Sequence, residues 1–119
     1  MIPVRTIAGT VDIGSGTLLV NTMPPIYQDD TVQVSLGFVS DGSEYEPAAD
    51  VSVFLYYVGD EDKSENTSMA IDGSAGTATI DGSITSKAGL CRLCIMLTDG
   101  DDQMIAASAP IVIIRARVR

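Results

Sequence analysis

Histidine and tryptophan are absent from this chain of 119 residues. Without an imidazole, no Ser-His or Cys-His nucleophile can be assembled. Without indole, the strongest sugar-stacking platform is missing, and only four Tyr and two Phe remain. Cysteine occurs twice, in Cys91-Arg92-Leu93-Cys94. A structural zinc site would need a second pair of ligands, and the chain offers neither His nor further Cys. On a strand, residues three apart lie about 10 Å apart and face opposite ways. A disulfide needs Cα atoms within about 7 Å. Cys91 and Cys94 therefore read as buried thiols acting as small hydrophobes. Basic residues are scarce too: seven against sixteen acidic, for a net charge of -9. Such a surface repels phosphate, so neither nucleic acid nor an anionic membrane is expected as a partner. No apolar run is long enough to cross a bilayer as a helix. Met1-Ile2-Pro3-Val4-Arg5-Thr6 lacks the basic-then-apolar order of a signal peptide, and a cytoplasmic site of synthesis is expected.

Helical periodicity is also missing. Val, Ile and Thr are abundant, eleven glycines punctuate the chain, and 45% of residues are hydrophobic. The length fits one domain, residues 1–119. The stretch Asp29 to Val58 organises it. Val32, Val34, Leu36 and Phe38 alternate with Thr31, Gln33 and Ser35, the period of a half-buried strand. Val51 to Tyr57 is apolar on both faces for part of its length, as in a central strand. Further strands are expected at Val4–Ile7 (an edge), Thr17–Val20, Met69–Ile71, Gly76–Ile80, Leu90–Thr98, Gln103–Ser108 and from Pro110 to Val118. Met23-Pro24-Pro25 removes ladder donors, so residues 21–30 read as a crossing segment. Residues 59–68 read as a charged, mobile loop, and Asp99-Gly100-Asp101-Asp102 as a hairpin turn. The expected fold is an all-β antiparallel sandwich of about seven to nine strands. A small closed barrel is the alternative. Residues 26–119 would form the core, and residues 1–25 an N-terminal extension or edge strands.

Asp60, Glu61, Asp62 and Glu65 do not follow the ligand spacing of a calcium loop, because Ser64 and Glu65 fall where a ligand and glycine belong. Asp99, Asp101 and Asp102 form a second acidic turn. Both read as solvated loops, so no metal or cofactor site is expected. The carboxylates lie in turns without an aromatic neighbourhood to raise a pKa, which argues against glycoside hydrolysis. No Gly-rich loop leads into a helix to cradle phosphate. Asn66-Thr67-Ser68 has the form of a glycosylation sequon. Asp-Gly-Ser occurs at 41, 72 and 81 and reads as repeated turn chemistry.

Two candidate surfaces emerge. On the final strand, Ile111, Ile113, Arg115 and Arg117 share one face, which turns from apolar to basic. That face is either a contact surface for an acidic partner or a charged guard against unwanted strand pairing. The Pro24-Pro25 segment is a second contact candidate. Tyr27 and Tyr45 are candidate ligand-loop residues, the aromatics expected to be exposed.

The order of features resembles a known family. Ile26-Tyr27-Gln28-Asp29-Asp30-Thr31 leads into the alternating strand. Ser40-Asp41-Gly42-Ser43-Glu44-Tyr45-Glu46-Pro47 and Val51-Ser52-Val53-Phe54-Leu55 follow. Then come Gly76-Thr77-Ala78-Thr79-Ile80, Ala88-Gly89-Leu90-Cys91-Arg92-Leu93, Leu97-Thr98-Asp99-Gly100 and Val112-Ile113-Ile114. Over roughly residues 26 to 114 this resembles the N-terminal immunoglobulin-like domain of phage baseplate upper proteins and related prophage tail-fibre proteins. Asp29 stands where glycine is common in that family, and Leu90-Cys91 replaces its usual tyrosine region. The resemblance implies an immunoglobulin-like sandwich and a non-enzymatic virion structural module, made in the bacterial cytoplasm. Its implied partners are other virion structural proteins and further copies of itself. A carbohydrate-binding or adhesin-type module is the alternative.

Overall fold

The computed structural model describes residues 5–47, 50–60, 62–108 and 112–116. It is an all-β sandwich of two packed sheets. Among the described residues the strands of four or more residues are β1 (Arg5–Asp12), β2 (Thr17–Thr22), β4 (Val32–Ser40), β6 (Asp50–Tyr57), β10 (Ala75–Ile80), β11 (Gly89–Asp99), β12 (Asp102–Ser108) and β13 (Val112–Arg115). Short bridges join them: β3 (Ile26–Tyr27), β5 (Ser43–Glu44), β7 (Asp62–Lys63), β8 (Thr67–Ser68) and β9 (Ala70–Asp72). A turn of 3-10 helix, Ile84–Ser86, interrupts the connector before β11.

One sheet runs β1-β4-β10-β9, and the other places β6 and β12 on either side of β11. These are the strand neighbours of an immunoglobulin-like sandwich. β13 continues the line of β12, pairing with the first residues of β11 while β12 pairs with the last. Period-two burial drives the arrangement. Val32, Val34, Leu36 and Phe38 all turn inward at 2% exposure or less. They meet Val53, Leu55, Leu93 and Ile95 from the facing sheet in one core. Each such side chain contributes roughly 1.5–3 kcal/mol by leaving water.

Three features depart from the sequence reading. First, β1 is not an edge. It lies between β2 and β4, and buries Ile7 and Val11 at 1% exposure or less. Gly9 does not end it but sits at a register shift opposite β2. A Cβ there would lie 2.5 Å from the Leu19 carbonyl oxygen. The strand continues because glycine allows that approach. Second, the sandwich is not purely antiparallel: β1 with β4, β2 with β12 and β3 with β13 are parallel pairs. Because β2 pairs with both β1 and β12, it stitches the two sheets together. Third, the charged segment after β6 is pinned. Ser64 donates its N–H to the Leu55 carbonyl and accepts the Leu55 N–H on its hydroxyl, both at 2.8 Å. The Lys63 ammonium lies 4.8 Å from the Phe54 ring centroid. That covers an aromatic side chain which would otherwise face water from the outside of the sheet.

The three Asp-Gly-Ser tripeptides make three different turns. At 41, Asp41 and Gly42 are the two loop residues between paired Ser40 and Ser43, with φ of 51° and 84°. This is the type I′ pattern, which needs left-handed backbone twice. At 72, the loop residues are Gly73 and Ser74, with positive φ at the glycine alone, as in type II′. At 81, the Asp81 carboxylate accepts the Ser83 N–H and the Ser83 hydroxyl, opening the 3-10 turn. The interaction with Ser83 holds the Asp81 carboxyl below its ordinary pKa.

Candidate functional site

The outer face of the second sheet is the candidate site. Strand alternation sends Leu90, Arg92, Cys94, Met96 and Thr98 of β11 outward, while Cys91, Leu93, Ile95 and Leu97 fill the core. Register then sets their neighbours. Leu90 pairs with Ile113, Arg92 with Tyr56, Cys94 with Phe54. Met96 lies between Ser52 and Ile105, and Thr98 between Asp50 and Gln103. Leu90, Ile105 and Ile113 are each about half exposed, at 47%, 55% and 47%. Two apolar cross-strand pairs, Leu90 with Ile113 and Met96 with Ile105, thus stand on one face. From Leu90 to Thr98 the face runs about 27 Å at strand spacing. Exposed apolar side chains bordered by charge are a mark of contact sites.

The charge on this face is polarised. At the end where β11 begins, Arg115 follows Ile113. At the other end lies exposed Asp50, while register turns the Asp99–Asp102 pair to the inner side of the sheet with Leu97. Neither Arg115 nor Asp102 joins an ion pair among the described residues.

The sequence candidates fall into place unevenly. Ile113 and Arg115 are exposed on β13, and they line a groove with Met23, Pro24 and Pro25. The structure therefore brings the last-strand and Pro24-Pro25 candidates together. The join is the parallel β3–β13 pair, tightened by the Gln28 N–H to the Arg115 carbonyl at 2.9 Å. Ile111 and Arg117 lie outside the described residues, as does Val118. Val112 and Ile114 turn inward.

Tyr27 and Tyr45 do not come together. Tyr27 stands just before β4 begins, while the Tyr45 N–H bonds the carbonyl of Phe38 near its end. Both are half-buried. The Arg5 guanidinium lies 5.6 Å from the Tyr27 ring centroid and is held by Asp30 at 2.7 Å. Tyr45 packs against the core and lines a pocket with Ile13, Leu97, Met104 and the Asp99 and Asp102 carboxylates.

Both cysteines are buried free thiols on opposite sides of β11. Burial pushes the Cys91 thiol up to about 11 and raises that of Cys94 as well. Burial likewise pushes the Tyr57 phenol up to about 12, with Cys91 and Asp62 adding to the effect. The Tyr57 hydroxyl donates to the Lys87 carbonyl at 2.8 Å. The Lys87 ammonium lies over that ring at 4.6 Å and pairs with Asp60 at 2.9 Å, which raises its own pKa.

Leu90, Met96 and Ile105 were not among the sequence candidates. The usable signal was that Leu90 to Thr98 carries Leu, Cys and Met on its second face, where a solvated strand would carry polar residues. No family model matches the chain, and no curated protein matches it.

Proposed function

We propose that this chain is a structural module of a phage or prophage virion that works by protein–protein contact, with the outer face of the β6-β11-β12 sheet as its main contact surface. The single observation that supports this reading is the pair of exposed apolar couples, Leu90 with Ile113 and Met96 with Ile105, on one sheet face. The feature order of residues 26 to 114, similar to baseplate and tail-fibre domains, supplies the setting. Its role is passive and non-enzymatic: a rigid sandwich presents a face that neighbouring virion proteins bury. It is made in the bacterial cytoplasm and assembled there into the particle.

The test is to purify particles on a density gradient from the producing culture and look for peptides of this chain by mass spectrometry. The chain is expected to co-sediment with particles. Replacing Leu90 and Ile105 by Asp together is expected to release it to the soluble fraction while leaving its circular dichroism unchanged. Wild-type chain found only in the soluble fraction would overturn the reading.

A further inference from the structure

We infer that the acidic end of the sandwich takes an arginine of a partner protein, its side chain seated in the cavity between Tyr45 and the β11–β12 hairpin. This contact lies apart from the outer sheet face and is independent of it.

Charge is unevenly placed along the molecule. The end that holds the Asp41-Gly42 and Gly100-Asp101 turns carries Asp41, Glu44, Asp50, Asp99, Asp101 and Asp102, all exposed, and no Lys or Arg among the described residues. The described cations, Arg5, Lys63, Lys87, Arg92 and Arg115, stand in the other half. A field of one sign draws surfaces of the other. At the acidic end a cavity of about 180 Å³ is walled by Ile13, Tyr45, Leu97 and Met104. Pockets for drug-sized ligands start near about 300 Å³, so this one has the size for a single side chain. Two carboxylates line it, Asp99 and Asp102, which stand directly opposite each other on the β11–β12 ladder. Like charges so paired destabilise a sheet, and neither joins an ion pair among the described residues. The hairpin thus holds two uncompensated anions against an apolar wall. An arginine answers each part of this. Its methylene stem lies along Ile13, Leu97 and Met104. Its planar guanidinium bridges both carboxylates, and the Tyr45 ring offers it a face. Calcium fits less well, because it requires about six to eight oxygen ligands and these walls are mostly carbon.

Heteronuclear NMR titration of the protein provides the test, with acetyl-arginine amide as the probe and acetyl-citrulline amide as its uncharged counterpart. The arginine probe is expected to give saturable shifts centred on Ile13, Tyr45, Leu97, Asp99 and Asp102, weakened by salt. The citrulline probe is expected to bind about tenfold more weakly or worse. Asp102→Asn is expected to lose arginine binding by the same factor and yet to melt at a higher temperature, because it removes a like-charge pair. Asp99→Asn is expected to do the same, and either variant alone decides. Asp41→Asn, at the same end but outside the cavity, is expected to leave binding nearly unchanged. The spectrum of each variant in buffer shows that it folds. Absence of saturable shifts at the cavity overturns the inference. So does equal binding of the two probes, and so does an Asp102→Asn or Asp99→Asn variant that binds like wild type or melts below it. Calcium chloride that reproduces the same shifts at a comparable concentration also overturns it, in favour of a metal site.

Discussion

Asp29 is held at φ 67°, in the left-handed region that glycine enters freely and aspartate tolerates. At Gly9 the constraint is space, since the Leu19 carbonyl oxygen fills the place of a Cβ. Gly9→Ala must push β1 from β2 and is expected to cost roughly 1–3 kcal/mol, read as a lower urea midpoint. The thiols were legible from spacing alone: two cysteines three apart on a strand must face opposite sheets of surroundings, and they do. Neither is expected to react appreciably with iodoacetamide at pH 8 in the native protein, because thiolate is the reactive form. The sign of the pH effect follows from Cys91. Its folded pKa, about 11, lies above the ordinary value of 9.0. The folded state therefore holds the proton more tightly. Stability is fully present below pH 9 and declines as pH rises towards 11. Urea denaturation at pH 8 and pH 10.5 is expected to show the loss, and Cys91→Ala to reduce its slope with pH.

Elements were legible where one face is buried and the other wet. β4, β10 and the β11–β12 hairpin could be read from period two and a Gly-containing turn. β1 was cut short because Gly9 reads as a break in sequence, while in space it is a point of close contact within a central strand. The segment after β6 read as loop because its residues are charged. Its structural role lies in one serine and one lysine that cover Leu55 and Phe54. Turn type was likewise hidden, since the same tripeptide occupies three different positions relative to its strands. The type I′ turn at Asp41-Gly42 needs positive φ at both loop residues. Gly42→Ala is therefore expected to cost about 1 kcal/mol or more. The matching change at Ser74, the second residue of the Gly73-Ser74 turn, should be close to neutral. Melting temperatures of the two variants separate these outcomes.

For the whole molecule, composition and strand count were enough to give an all-β sandwich. The parallel closures were not legible, because period two says which face is buried and nothing about which strand lies alongside. β2 pairs with β12, bringing residue 17 to residue 107, and no local pattern records such a contact. Folding must close loops of this length before they are rewarded. Refolding is accordingly expected on the millisecond-to-second scale, in a single phase by stopped-flow fluorescence of tyrosine.

The site at Tyr27 carries a topological consequence. Its ring lies beside the Arg5 guanidinium, and its backbone pairs with Arg115. The first and last described strands thus reach the same pole of the sandwich, and the Asp41-Gly42 and Gly100-Asp101 turns crown the other. The chain is, in effect, a nearly closed ring. Joined there by a short linker and reopened at either far turn, it would keep every strand pairing described above. By the same geometry, the sandwich can be spliced into a surface loop of a larger protein without prising that loop apart.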